Sequence, residues 1–352
     1  MMERRLAILA EGMLDFHHGK TATSLLRYRP DEVVAVIDSQ HAGMTTDQVV
    51  GLAAGTPIVP DISQAMVFCP TALLIGIAPR GGDLPAAWRR QILQASAAGL
   101  DVISGLHYML GDDAEFAAAA AKGGGRLIDV RRPPDDVSVA EMLPRRPGSR
   151  VITFVGSDCA SGKMTAALEV TKSARERGLN AAFVATGQTG IMLEGRGIAI
   201  DRVIGDFMAG AAERLVHEAS EHADWVFVEG QGSLLHPGYS GVTLSLLHGS
   251  SPDAMILVHL AGQSTIEEYG TDIPPLDELV RIYERAAGWV KPAKVAGIAL
   301  NTRDLDDAQT TRAIQEAETV TGLPATDPVK FGADTLVEAV QKGMRGQGLA
   351  AG

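Results

Sequence analysis

One stretch limits what this chain can fold into: Gly156-Ser157-Asp158-Cys159-Ala160-Ser161-Gly162-Lys163-Met164-Thr165. It follows the apolar run Val-Ile-Thr-Phe-Val at residues 151–155 and opens a helical pattern over 162–177 that Gly178 stops. A strand, a glycine-bounded loop of small residues, a lysine and a helix form a phosphate-binding loop, or P-loop. Small residues let the backbone curl so that several N–H groups point inward. The helix N-terminus adds partial positive charge, and Lys163 adds a mobile full charge. A plain glycine turn is the alternative; context and residues together favour phosphate, so all ten residues are taken as cofactor-binding. The motif departs from the usual one in two ways. Five residues separate the glycines where four are usual, and Met164 stands where Ser or Thr normally binds magnesium. Thr165 comes one place later, turned by about 100° around the helix. Magnesium binding and simple ATP hydrolysis both lose support.

The rest of the chain sets the frame. Its 352 residues predict two domains. Leu6 to Ala10 precede Glu11, too short an apolar stretch for a secretory core, and predict a first strand. Strand-like runs at 33–37, 72–77, 102–103 and 127–128 alternate with helical patterns, notably 85–98 with Pro85 in its first turn. The alanines at 117–121 end a helix that Gly123, Gly124 and Gly125 terminate. Residues 131–150, with four prolines, contain the linker, assigned to 133–149. Beyond it, strands are predicted at 151–155, 181–185, 225–228, 255–259 and 295–300. The expected class is α/β, with two doubly wound parallel-sheet domains at 1–132 and 150–352.

Composition excludes several partners. A net charge of −12 argues against nucleic acid, which needs clustered Lys and Arg. No apolar run is long enough to span a bilayer. Two cysteines, Cys69 and Cys159, are too few for a disulfide framework and predict a reducing cytoplasm. The expected partner is a small molecule, and a homo-oligomer is left open.

A second motif runs Val226-Phe227-Val228-Glu229-Gly230-Gln231-Gly232-Ser233. An apolar strand ends in a carboxylate and a glycine-rich loop, where parallel sheets bind ligands. Glu229 is read as a metal ligand or a base, against the alternative of a solvated carboxylate. The long P-loop spacing, this Glu-Gly-x-Gly loop and Gly297-Ile298-Ala299-Leu300-Asn301-Thr302 resemble the dethiobiotin synthetase group of P-loop enzymes. The resemblance implies Glu229 at magnesium and Asn301 near the nucleotide base. It also implies an alternative activity: an ATP- and magnesium-dependent ligase or kinase acting on a small carboxylate, with Glu229 and Thr165 contacting the metal.

A closer resemblance covers most of the chain. It rests on the P-loop, Ala185-Thr186-Gly187-Gln188-Thr189-Gly190, Asp206-Phe207-Met208-Ala209-Gly210, and the run from Glu229 to Ser250. These segments resemble a family long catalogued as a domain of unknown function, which pairs a Rossmann-like N-terminal part with a C-terminal P-loop part. One branch is the DgcN-type D-glutamate N-acetyltransferases, which use acetyl-coenzyme A. The resemblance implies that fold and cofactor, with an acidic amino acid, D-glutamate first, as acceptor.

Coenzyme A carries phosphates, so a P-loop suits it without hydrolysis. Acetyl transfer to an α-ammonium needs a base and donors for an oxyanion. His236 leads as catalytic base, with Asp158 and Glu229 as alternatives; His236 as an orienting hydrogen-bond donor is the competing reading. Gln188, Thr189, Gln231 and Ser233 are candidates for binding the substrate, or for capping and turn formation. Arg196 and Arg202 are nearby cations with surface roles favoured, and His248 reads as a packed loop histidine. Cys159 at a helix N-terminus invites a nucleophile reading; with no base adjacent in sequence, packing is favoured. In the N-terminal part, His18-Gly19-Lys20-Thr21 imitates a P-loop end without its first glycine. Asp38 imitates a ribose-binding acid without the glycine fingerprint, and Pro79-Arg80-Gly81-Gly82 reads as a connecting turn.

Overall fold

Runs of β-branched and aliphatic residues, apolar on both faces, form strands that are buried on both sides of a parallel sheet. The computed structural model describes residues 4–16, 18–77, 84–267 and 269–346. The chain divides into one unit of Met1–Arg132 with Ile191–Gly195, and a second of Pro133–Gly190 with Arg196–Gly352. The turn expected at residues 79–82 lies outside the described residues.

In the first unit the strands are β1 (Leu6–Leu9), β2 (Val33–Ile37), β3 (Ile58–Val59), β4 (Ala72–Ile75), β5 (Asp101–Ser104) and β6 (Leu127–Asp129). The helices are α1 (Lys20–Tyr28), α2 (Thr46–Val50), α3 (Ile62–Ala65), α4 (Ala86–Ala97) and α5 (Ala114–Gly123). All strands are parallel in the order β3-β2-β1-β4-β5-β6, the doubly wound arrangement of a Rossmann-like domain. Pro85 is the N-cap of α4, one place before the first turn expected for it. Gly124, left-handed at φ 83°, caps α5. The Asp38 carboxylate is fully buried and accepts from Gly12 N, Gln40 N and His41 Nδ1 at 2.7–3.1 Å. It closes the turn after β2.

The second unit contains β7 (Arg150–Gly156), α6 (Lys163–Glu176), β8 (Ala181–Val184), the first three residues of α7 (Gln188–Glu194, the rest of which belongs to the first unit), α8 (Met208–Ser220), β9 (Trp225–Val228), α9 (Ser240–Ser250), β10 (Ala254–Leu260), α10 (Leu276–Ala287), β11 (Lys294–Asn301), α11 (Asp307–Thr321), β12 (Ala325–Thr326) and α12 (Asp334–Gly346). The sheet order is β12-β11-β10-β7-β9-β8, again all parallel. Val151 of β7 packs with Leu215 and Val216 of α8 and Leu246 of α9, and Val155 with Met255, Leu257 and Val295 against Leu279 and Tyr283 of α10. The helices α6 and α12 pack against each other and cover the sheet's other face. The two-residue strands β3 and β12 escaped the sequence reading because they are too short to show alternation. Residues 133–149 form neither helix nor strand. Glu213 of α8 accepts the N–H groups of Glu141 and Leu143 and holds part of this stretch against α8.

Candidate active site

Parallel strands deliver their following loops to one edge, and in the second sheet β7 lies between β9 and β10, where the strand order reverses. The P-loop follows β7, residues 185–190 follow β8, residues 229–239 follow β9, and Asn301 ends β11. Every candidate cofactor and substrate residue of the sequence reading therefore lies at the carboxyl edge of this sheet.

The P-loop is tightly closed. Gly162 adopts φ 106°, which only glycine tolerates readily, and a Cβ there would come within 3.2 Å of Asn301 Nδ2. A Cβ on Gly156 would stand 2.6 Å from Ser161 Oγ and 3.0 Å from Lys163 Nζ. Lys163 is buried; its Nζ donates to the carbonyls of Asp158 at 2.6 Å and Cys159 at 3.2 Å, and to Ser161 Oγ at 3.3 Å. Ser161 Oγ donates to Asp158 O at 3.0 Å. A compact loop of small residues around an ammonium fits a phosphate group. Ser157 is buried, Ala160 exposed, and Met164 buried at the place where a magnesium ligand usually stands, while Thr165 is half-buried. Asn301 Nδ2 reaches Ser161 O at 3.3 Å, so this side chain braces the loop.

Glu229, 4% exposed, spans to the neighbouring strand's loop. Its Oε2 accepts from Thr186 N at 2.9 Å and Gly187 N at 3.1 Å, and Thr186 Oγ1 donates to Glu229 O. A Cβ on Gly190 would meet Oε2 at 2.5 Å, so glycine there lets the carboxylate in. Gln231 Nε2 donates to Thr186 Oγ1 at 3.3 Å. Ser233 is fully buried and donates to Ser157 O, tying this loop to the P-loop. Thr189 is buried, and Gln188 Oε1 is buried with no hydrogen-bond partner among the described residues. Buried acceptors are seldom left unpaired, so this oxygen suits a ligand's N–H.

Asp158 and His236 meet near Cys159. The Asp158 carboxylate accepts from Cys159 N at 2.6 Å, Gln263 Nε2 at 2.6 Å and Glu267 N at 2.8 Å. With both oxygens held by N–H groups, it locks the loop after β10 to the P-loop. His236, 5% exposed, packs against the rings of Tyr239 and Tyr269. Its Nδ1 accepts from Gly238 N at 3.1 Å, which assigns the neutral ring's proton to Nε2. In that tautomer the ring is a donor, the role that competed with base in the sequence reading. One His236 nitrogen, Cys159 Sγ and an Asp158 oxygen lie within 4.8 Å of one another. Cys159 thus has a histidine beside it in space, although it has none in sequence.

Other residues fall elsewhere. His248 belongs to α9, not to a loop, and its Nε2 contacts Ala286 O at 2.9 Å. Arg196 lines a cavity of about 280 Å³ with Phe183, Ala185, Ile198 and Arg214. No lining residue of that cavity belongs to the P-loop or to the 229–239 loop. Arg202 lies in a short 3₁₀ turn.

Three site residues were missed. Tyr283, fully buried on α10, donates to Gly156 O at 2.7 Å and accepts from Leu234 N at 3.1 Å. Burial pushes its hydroxyl up, so it stays a phenol. Tyr269 is the aromatic wall of His236. His259 ends β10, and its Nδ1 meets Ser157 Oγ at 2.9 Å. The polar end of an otherwise apolar strand was a usable signal for His259; nothing local marked the two tyrosines.

Burial pushes His259 down to about 4. Its unfolded value is near 6.5, so the unfolded chain binds the extra proton between those values. Stability is full above about pH 6.5 and falls as pH drops toward 4. Going from pH 7 to pH 5 should remove about 2 kcal/mol. Urea midpoints at the two pH values should show this loss, and His259→Asn should reduce it; an unchanged pH slope in the variant refutes the assignment.

Comparison with known proteins places these features in a family. Residues 39–133 match the DUF1611 N-terminal Rossmann-like domain, and residues 138–337 match the DUF1611 C-terminal P-loop domain, both described as domains of unknown function. A D-glutamate N-acetyltransferase of Tritonibacter scottomollicae is 38% identical over 333 residues, 93% of this chain and 95% of that protein. Another from Pseudoalteromonas sp. is 35% identical, over 78% of this chain and 83% of that protein. The crystal structure of a DUF1611 family protein from Anabaena variabilis superposes with a TM-score of 0.91 at 41% identity, covering 96% of this chain and 99% of that one. With both domain models matched in order and full-length relatives at this identity, the chain belongs to the DUF1611 family.

Proposed function

We propose that this protein is an N-acetyltransferase that transfers acetyl from acetyl-coenzyme A to the amino group of an acidic amino acid, with D-glutamate the first acceptor to test. The observation that carries this reading is the relation, across both domains, to two proteins named D-glutamate N-acetyltransferase. The site chemistry supports it. A P-loop whose magnesium position is a buried methionine suits a coenzyme's phosphates better than nucleotide hydrolysis. The bound coenzyme supplies an acyl group activated as a thioester.

The chain's own residues divide the remaining work. Lys163 and the loop N–H groups hold phosphate. His236 Nε2–H donates to the carbonyl oxygen as it gains charge. Glu229 positions the Thr186–Gly187 backbone, and Gln188 Oε1 receives the acceptor's N–H. Asp158 keeps the loop closed. The small-molecule acceptor is the partner, and no helix among the described residues is long and apolar enough to cross a membrane.

Free thiol release from acetyl-coenzyme A with a panel of D- and L-amino acids tests this reading. Release dependent on D-glutamate is expected. Magnesium-dependent ADP formation from ATP, with no acceptor-dependent thiol, would replace it with the ligase or kinase activity. Lys163→Ala should weaken coenzyme A binding about 10- to 100-fold, the worth of one charge-assisted phosphate contact at ~1.5–3 kcal/mol. Calorimetric titration measures it; an unchanged affinity removes the P-loop from donor binding.

A further inference from the structure

We infer that the cavity at the open edge of β8 is a second small-molecule site. Its ligand is a carboxylic acid with an N–H beside the carboxylate, as in an amino acid or an N-acyl amino acid. The site stands apart from the acetyltransfer reading, which supplies only the choice of probes. The cavity, about 280 Å³, belongs wholly to the second unit, and neither Gln188 nor any P-loop residue lines it. That volume is just under the ~300 Å³ at which drug-sized pockets begin, so it suits a small metabolite.

Three consecutive residues, Phe183, Val184 and Ala185, line the cavity. Successive side chains of a strand point to opposite faces, so one cavity reaches all three only along the backbone edge. β8 ends its sheet, with β9 on one side and no strand on the other. In a strand the N–H and C=O of one residue point the same way, and those of the next point the other way. The carbonyls of Asn180 and Val184 accept from Trp225 N and Glu229 N at 3.0 Å, so the even-numbered residues face β9. The odd-numbered ones face outward. Ala181 O accepts from Arg175 Nε at 2.9 Å, whereas Phe183 and Ala185 face the cavity. The outward Phe183 N–H, Phe183 C=O and Ala185 N–H have no hydrogen-bond partner among the described residues. Each of the two residues is only 2% exposed. Buried backbone groups are nearly always paired, so these call for a polar occupant. Two donors and an acceptor along one edge match a carboxylate with an N–H beside it.

The side chains around the cavity add a charge preference. Two arginines and one carboxylate, Arg196, Arg214 and Glu218, line it. Arg214 is committed: it donates to Asp136 at 2.8 Å and to Glu218 at 2.9 Å. Arg196 has no ion pair or hydrogen bond among the described residues, and it is exposed, so an anion can reach it. Its guanidinium is the cation left for a ligand's carboxylate. Phe183, Ile198 and Leu215 are buried around the same space. Such apolar walls strengthen a polar contact by keeping water away from it.

Hydrogen exchange of the full-length protein, read by mass spectrometry on peptides covering residues 181–185, tests the site. The probes are N-acetyl-D-glutamate and D-glutamate; glutarate, a dicarboxylate with no N–H, is the control. Either probe should slow exchange in these peptides, because it pairs the Phe183 and Ala185 N–H groups. Stronger protection by N-acetyl-D-glutamate assigns the site to an acylated amino acid, and stronger protection by D-glutamate assigns it to the free one. Arg196→Ala should raise the probe concentration for half-protection about tenfold or more, and Arg196→Glu should abolish protection. Both variants should melt with the wild type, since the side chain is exposed. Protection by glutarate equal to that by the probes, an unchanged half-protection in Arg196→Ala, or no protection with either probe overturns the inference. Acceptor-dependent thiol release without protection overturns the cavity site alone. Arg196-dependent protection in a protein that releases no thiol with any acceptor keeps the cavity site and overturns acetyl transfer.

Discussion

His236→Ala is expected to lower kcat by about 10²–10³-fold, the usual cost of losing one donor to a developing oxyanion. The KM for acetyl-coenzyme A should hold, because the proposed phosphate contacts are those of Lys163 and the P-loop backbone. The reason lies in the tautomer: Gly238 N–H occupies Nδ1, which leaves Nε2 to act as a donor. His236→Gln separates the roles, since its amide offers an N–H near the Nε2 position but cannot take a proton in this pH range. Partial recovery of kcat in the Gln variant is expected. If Gln and Ala lose activity equally, the ring acts as a base, and the Gly238 contact must break during turnover.

Gly230→Ala is expected to cost about 3 kcal/mol or more and to prevent the P-loop domain from folding normally. A Cβ at 230 would overlap the carbonyl oxygen of Phe154 and stand 2.9 Å from Lys163 Cδ. Phe154 belongs to the central strand β7, paired on both sides by β9 and β10, so its carbonyl cannot retreat. Gly241→Ala is the control: nothing lies within 4 Å of a Cβ there, and an exposed helical alanine should be neutral or stabilising by up to ~1 kcal/mol. Chemical denaturation of both variants checks the pair, and equal stability refutes the steric argument.

The P-loop and both domain architectures were legible in the sequence because each is written in neighbouring residues. A strand, a glycine-bounded turn and a helix follow one another at residues 150–176, and the alternation of apolar runs with helical patterns is local as well. Strand ends moved by a residue or two. Glu229 could be recognised as a strand-end carboxylate, and Asn301 as the end of another strand. Their partners could not, because β-strand order decides which loops become neighbours.

Parallel strands joined by crossover helices bring distant loops to one edge. Glu229 thereby reaches the N–H groups of Thr186 and Gly187, 42–43 positions away, and Tyr283 reaches Gly156 from 127 positions away. Only the tertiary structure put His236 beside Cys159, engaged both oxygens of Asp158 with the loop after β10, and set the His236 tautomer through Gly238. The sequence by itself determined the strand, glycine-bounded loop and helix of a P-loop at Gly156 to Thr165. Which side chains stand around that loop was decided by β9 and β10 flanking β7.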